Sequence, residues 1–260
     1  MTELNTKIKK FAQLILEAKN IVALTGAGMG TESGIADFRS PGTGLWEKVS
    51  PDEFASIHSY VSNPKKNLDF MLELGMAIFK AKPNKGHKAL TKLQKLNKLN
   101  GILTQNIDGL HQKAHSKNVV ELHGTAYEAI CMGCSNIYPI TIMIDQVSSG
   151  KYSPSCEMCN GLLKPNAIFF GEPLRSETLS RADRLIEESD LLIVLGSSLL
   201  IYPVAFYPRK ALSLGANLAI INIQETDIDD SADVVIHEKI GDVFPLIVSI
   251  VKNEIEEGQY

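Results

Sequence analysis

Residues 21–39 read IVALTGAGMGTESGIADFR, and no other stretch of the chain restricts the fold as much. Ile21, Val22, Ala23 and Leu24 are apolar in succession. A strand tolerates that pattern only when both of its faces are covered, as in a parallel sheet flanked by helices. The run breaks at Thr25 into a loop with glycines at Gly26, Gly28, Gly30 and Gly34. Lacking Cβ, such a loop brings backbone N–H groups close to an anion, and many α/β proteins hold a nucleotide diphosphate this way. The loop ends in Asp37, Phe38 and Arg39, which is not the ending of an ordinary dehydrogenase fingerprint. It points to a nucleotide whose chemistry takes place beside the loop.

The rest of the chain keeps the rhythm this strand implies. Strand-like apolar runs recur at 101–104, 191–195, 218–223 and 234–236, and helical patterns cover 86–98, 177–188, 204–214 and 243–254. Ile8, Phe11, Ala12 and Ile15 form one helical face near the N-terminus, and Ser176 is positioned as an N-cap. The expected fold class is therefore α/β, a Rossmann-type doubly wound parallel sheet with right-handed crossovers. Two stretches interrupt it. Residues 40–85 carry helix-like pieces and no clear strand. Residues 127–164 carry all four cysteines among turn formers such as Gly133, Gly150, Pro154 and Gly161. This divides the chain into a large nucleotide-binding domain (1–39, 86–126 and 165–260) and a smaller domain of a helical insert (40–85) and a cysteine module (127–164).

A net charge of −4 over 260 residues argues against sequence-independent nucleic-acid binding. No apolar run approaches the ~18 residues of a membrane span. The first twenty residues are too charged for a secretory signal, so a cytoplasmic protein is expected. The cysteines agree. Cys131 and Cys134 form one C-x-x-C pair, and Cys156 and Cys159 form another beyond an intervening 135–155. Two such knuckles supply four thiolates for a tetrahedral zinc ion. With no position left for water, the site reads as structural. Iron also accepts four thiolates, and two unrelated redox or buried pairs are the bland alternative.

Further chemistry clusters after other strands. In residues 104–111 (TQNIDGLH), Gln105, Asn106 and Asp108 suit ribose hydroxyls or an amide, or else cap a turn. His123 lies in ELHG (121–124), where a lone histidine is a base or a satisfied structural residue. Gly196, Ser197 and Ser198 follow another strand, and Asn222 ends one; both suit phosphate or ribose contacts, or ordinary βα turns. Residues 168–172 (IFFGE) read as an apolar strand ending in glycine, either core or an edge that a peptide joins. His58, His87, His111, His115 and His237 read as solvated or local hydrogen-bonding residues.

Taken together, GAG…ESGI…DFR (26–39), TQNIDGLH, ELHG, the two C-x-x-C pairs, FFGE (169–172), GSSLLIYP (196–203) and NI (222–223) resemble the sirtuins, the NAD-dependent protein deacylases. The motifs stand in the family's order across nearly the whole chain. The resemblance implies NAD as co-substrate, one structural zinc on Cys131, Cys134, Cys156 and Cys159, and an acyl-lysine protein or peptide partner. It implies neither a nucleic-acid nor a membrane partner, and a monomer or weak oligomer. It assigns Gly26, Ala27, Gly28, Thr31, Asp37, Phe38, Arg39 and Trp46 to the NAD loop. Gln105, Asn106, Ile107, Asp108 and His123 fall at the ribose and nicotinamide. Gly196, Ser197, Ser198, Asn222, Ile223 and Gln224 fall at the adenosine half. Ile168, Phe170, Gly171 and Leu200 fall along the acyl-lysine tunnel and peptide strand.

The implied catalytic residues are His123, Asn106 and Asp108. The acyl oxygen would attack C1′ of the nicotinamide ribose, with Asp108 and the backbone near Ile107 gripping the carboxamide. Phe38 would shield the sugar from water, and His123 would act as base on a ribose hydroxyl. Three positions depart from the family pattern: Met29-Gly30-Thr31 in the loop, Ala36 where proline is frequent, and His115 in place of a glycine of positive φ. Family members that take succinyl groups use a Tyr and an Arg in the helical insert. No arginine stands between Arg39 and Arg175, so acetyl or longer uncharged acyl groups are expected. The nearest rival is an NAD-dependent protein ADP-ribosyltransferase, and a non-catalytic NAD or peptide module is a further one. Hydride transfer is disfavoured, because Thr31 occupies the last position of a G-x-G-x-x-G and no acid follows a second strand at ~20 residues.

Overall fold

The computed structural model describes residues 3–37, 42, 44 and 49–258. In chain order its elements are α1 (Glu3–Glu17), β1 (Ile21–Thr25), α2 (Pro51–Phe54), α3 (Ile57–Ser62), α4 (Pro64–Lys80), α5 (Lys85–Lys95), β2 (Leu99–Thr104), α6 (Leu110–Lys113), β3 (Val119–Glu121), β4 (Gly124–Cys131), β5 (Ile137–Pro139), α7 (Ile140–Ser148), β6 (Leu163–Ala167), α8 (Ser176–Glu188), β7 (Leu191–Leu195), α9 (Tyr207–Ser213), β8 (Asn217–Ile221), β9 (Val234–Ile236) and α10 (Ile240–Glu256).

The first apolar run is buried along its whole length and divides two cores. Ile21 and Ala23 pack with α1, α5 and α10 on one face of the sheet. Val22 and Leu24 pack with α8 and α9 on the other. The alternation follows from the two-residue period of a strand, and it explains why β1 and β7 carry no polar face. Six parallel strands run in the order β3-β2-β1-β7-β8-β9. Crossovers from β1 move outward one way and those from β7 the other. A crevice therefore opens between the loops that follow these two strands, where open α/β sheets bind ligands.

A separate antiparallel sheet, β5-β4-β6, carries the four cysteines at one end. It packs with α3, α4 and α7 around a third core that includes Tyr60, Leu68, Met143, Leu163 and Phe169. Tyr60 ties the helical insert to this sheet, its hydroxyl donating to Leu163 O at 2.6 Å.

Three local expectations are corrected. The apolar residues 168–170 are not a strand; the strand lies just upstream as β6, and Phe170 instead bridges Ser56 of the insert. Ser176 is the first helical residue of α8, and Arg175 takes the capping position without a side-chain cap. The strand expected over 218–223 stops at Ile221, which leaves Ile223 59% exposed.

Candidate active site

The loops after β1 and β7 are interlocked. Gly28 N donates to Gly196 O at 2.9 Å, and Gly26 N donates to Leu195 O at 3.1 Å. Gly196 has φ +64, and a Cβ there would stand 2.5 Å from Met29 N. Only glycine permits both that backbone conformation and that approach. The result is a cradle of backbone at the sheet's switch point. Ala27–Met29 and Thr31–Ser33 form two short 3-10 turns, and the Thr31 hydroxyl donates back to Gly28 O at 3.0 Å. Thr31 thus serves the loop's own shape. Glu32 anchors the loop from below by accepting from Gly241 N, at the start of α10.

Beneath the cradle lies a buried polar chain. Thr25 Oγ1 donates to Thr104 Oγ1 at 2.9 Å, and His111 Nε2 lies 3.0 Å from the same Thr25 oxygen. Because the Thr25 hydroxyl is already donating, His111 donates through Nε2. Thr104 Oγ1 also accepts from Asn106 N, and Asn106 Nδ2 donates to Gly26 O at 2.9 Å. The TQNID segment is therefore fixed to the glycine loop at both backbone and side chain. His87 packs on His111 with ring centroids 4.9 Å apart. Burial lowers the pKa of His87 to about 4, and burial with the neighbouring ring lowers His111 to about 3, so both are neutral.

One cavity of about 910 Å³ gathers most of the residues singled out from sequence. Gly26, Ala27, Gly28 and Asp37 line it from the first loop; Gln105, Asn106, Ile107 and Asp108 from the end of β2 and His123 from the end of β3; Gly196, Ser197, Ser198, Asn222 and Gln224 from the far side; and Ile168, Phe170 and Gly171 from the segment after β6. Leu200 and Ile223 lie outside it and are exposed, at 52% and 59%. Phe38, Arg39 and Trp46 lie outside the described residues.

The polar groups of this cavity are ordered. His123 Nδ1 lies 2.9 Å from Gln105 O, and since a carbonyl only accepts, Nδ1 carries the proton and Nε2 keeps its lone pair. Burial lowers the His123 pKa, with the Gln105 contact opposing. Asp108 accepts from Leu110 N at 2.9 Å, and burial raises its pKa against the pull of Lys113. Glu121, at the end of β3 and not in the cavity lining, is pushed up to about 7, chiefly by burial. Gln105 Nε2 donates to Ser197 Oγ at 2.8 Å and joins the two banks of the crevice. Asn222 turns its amide onto Gln224 O at 2.7 Å.

Sequence reading missed the cavity's apolar end. Met71, Leu72 and Gly75 of α4, with Ile140, Met143, Ile144 and Val147 of α7, continue it into the third core. Residues 40–85 read as helix-like pieces, but nothing local announces that the apolar face of one of them surrounds space. His115, flagged as a departure, does adopt φ +67.

The four cysteine Sγ atoms all lie within 4.8 Å of one another, with Cys131–Cys159 at 3.5 Å and Cys134–Cys156 at 3.7 Å. A tetrahedral ion with bonds of ~2.3 Å requires sulfur separations of about 3.8 Å, so the set is positioned to bind one zinc ion. Backbone N–H groups of Gly133, Cys134 and Met158 point at Cys131 or Cys156 sulfur, as thiolates require. The Tyr138 hydroxyl at 3.0 Å lowers the Cys156 pKa.

The family model described as the Sir2 family matches residues 26–203. An NAD-dependent protein deacetylase of Caldivirga maquilingensis is 41% identical over 250 residues, covering 96% of each chain. An NAD-dependent protein deacylase of Pyrobaculum aerophilum is 38% identical, covering 95% of this chain and 97% of its own. Among solved structures, one described as a structural basis for the mechanism and regulation of Sir2 enzymes superposes with a TM-score of 0.88 at 38% identity, covering 96% of this chain and 99% of the other. Another, of Sir2 with a p53 peptide and NAD+, gives a TM-score of 0.83 at 38% identity, covering 97% and 98%. On sequence, fold and cysteine geometry alike, the chain belongs to the Sir2 family.

Proposed function

We propose that this protein is an NAD-dependent protein-lysine deacetylase of broader, uncharged deacylase scope. The reading is carried by one observation: His123, Asn106 and Asp108 stand in one cavity between a glycine cradle and the edge formed by residues 168–171. The comparisons support it, since relatives of this length are named as NAD-dependent deacetylases. The domain division at 1–39, 86–126 and 165–260 against 40–85 and 127–164 belongs to the same proposal, as does a cytoplasmic location, which suits cysteines that serve as thiolate ligands.

The cradle and Ser197, Ser198, Asn222 and Gln224 would hold the dinucleotide, and residues 168–171 the polypeptide. NAD supplies an electrophilic ribose carbon with nicotinamide as leaving group, and the acyl group is delivered to ADP-ribose. Asp108, whose pKa burial raises, suits a hydrogen bond to a carboxamide. Asn106, locked by Gly26 O and Thr104 Oγ1, orients what lies above it. His123 accepts a ribose-hydroxyl proton at Nε2, because Nδ1 is committed to Gln105 O.

The cavity's apolar end favours acyl groups without charge. A succinyl carboxylate there would lose its hydration with no arginine available between Arg39 and Arg175 to replace it. The test is incubation of purified protein with NAD and peptides bearing acetyl, butyryl, octanoyl or succinyl lysine, with both products weighed by mass spectrometry. Free lysine peptide with O-acyl-ADP-ribose from the uncharged set, at least about 100-fold above succinyl, is expected. ADP-ribose on protein without deacylation would replace this reading with a transferase, and efficient desuccinylation would overturn the acyl preference.

A further inference from the structure

Lys164 is a buried lysine that the chemistry above does not use. It sits on β6 inside the small sheet, where an ammonium needs strong partners to remain. Its Nζ donates to Ala167 O at 2.7 Å and to Pro165 O at 3.2 Å, and pairs with Glu172 Oε2 at 3.0 Å. It also lies 4.6 Å from the centre of the Phe169 ring. The same Glu172 oxygen accepts from Phe169 N at 2.8 Å. One cation thus gathers the end of β6, the Phe169 ring and the carboxylate that closes the following turn.

The segment tied down in this way touches both other parts of the site. Ile168 N donates to His123 O at 2.8 Å. Phe170 N donates to Ala55 O at 2.9 Å, and Phe170 O accepts from Ile57 N at 3.0 Å. Gly124, next to His123, pairs with Ala167, and a Cβ on it would lie 2.0 Å from Asn166 O. No slack exists between the strand and the histidine. Residues 168–171 are therefore a junction of the parallel sheet, the insert and the cysteine sheet.

The geometry points to Lys164 as a positioning residue for the polypeptide substrate: through Glu172 and Ala167 it fixes residues 168–171 at their working distance from His123. The proposal rests on the reading of this edge as the acyl-lysine peptide site. It assigns Lys164 no contact with NAD or the reacting atoms. Its loss should therefore appear in peptide binding before anything else, because a loosened edge must be reordered each time substrate joins it.

Steady-state kinetics of Lys164→Met, Lys164→Arg and Glu172→Gln with an acetyl-lysine peptide and NAD test this. Lys164→Met is expected to raise the peptide KM at least tenfold while the NAD KM stays within twofold. Lys164→Arg, which keeps the cation, should lie within threefold of wild type. Where Lys164→Met fails to fold, Glu172→Gln decides, with a peptide KM at least threefold higher expected. A peptide KM within twofold of wild type in the folded variant overturns the proposal. So does a loss shared equally by the NAD and peptide parameters, or an arginine variant as defective as the methionine one. A wild-type protein that turns over no acyl-lysine peptide would instead overturn the functional reading beneath it.

Discussion

The two sheets that meet at the cleft are held together by different means. The six-stranded sheet has helices on both faces, and its central strands β1 and β7 are fully buried. The antiparallel sheet has a fully buried β6, a partly exposed β4, a more exposed β5 and four cysteines gathered at one end. Burial on both faces holds the first, with the Thr25–Thr104 polar chain beneath its loops. The second has a smaller core, hollowed by the cavity it shares with the cleft, and four cysteines positioned to bind one zinc ion. A large sheet that shapes a glycine cradle and a small sheet beside the same cavity suit a site that takes both a dinucleotide and a polypeptide.

Metal removal should break this comparison most forcefully. Structural zinc contributes roughly 10 kcal/mol or more to small modules. Treatment with a strong chelator is expected to abolish deacylation and to lose order in the β5-β4-β6 region by hydrogen exchange, while the parallel sheet stays protected. Equal loss of protection in both sheets would mean the halves are not separately held.

The converse experiment targets the large half. Gly196→Ala introduces a Cβ 2.5 Å from Met29 N at φ +64. It should cost about 3 kcal/mol and raise the NAD KM by about 100-fold, with zinc content unchanged. A normal NAD KM would show the loops are not interlocked in solution.

Acidification acts chiefly on the large half. His87 and His111 have folded pKa values near 4 and 3, below the unfolded value of 6.5. Below pH 6.5 the unfolded chain takes protons that the folded one refuses, so stability is lost as pH falls, by about 2 kcal/mol per histidine at pH 5. Glu121, raised to about 7, has the opposite sign, since its contribution is complete below its unfolded value and lost as pH rises towards 7. The lowered His123 and raised Asp108 oppose each other in the same way. Glu121 offsets about one of the two histidines, and the melting temperature should drop by about 5 °C between pH 7 and pH 5. His87→Gln should flatten that slope, and a flat wild-type profile would contradict neutral buried rings.

The smallest expected effect concerns one backbone position. His115 stands at φ +67, so His115→Gly should raise stability by about 0.5–1 kcal/mol, read as a higher melting temperature with unchanged kinetics.

The same contrast explains what the sequence disclosed. Five of the six parallel strands were legible because burial on both faces forces continuous apolar runs such as 191–195, and the glycines because close backbone approach admits nothing else; short β3 was not legible. The cysteine spacing announced a tetrahedral ion. The small half was harder. Strand β6, LKPNA, contains a lysine, a proline and an asparagine; Lys164 is satisfied along its own segment by Ala167 O and Glu172, and Asn166 by Glu128 of β4 across the sheet. Its neighbour 168–170 looked more strand-like and is not one. The cavity's apolar end was invisible for a related reason: helical periodicity reports which face is apolar, and it carries no information on whether that face is filled.

The central claim is that His123, with its proton fixed on Nδ1, is the base of an NAD-consuming deacylation. Deacetylation of an acetyl-lysine peptide by His123→Ala, measured in the presence of saturating NAD, tests it most directly. The rate should fall at least about 100-fold while zinc content and melting temperature stay at wild-type values. A folded His123→Ala protein that keeps full NAD-dependent deacetylation would contradict it.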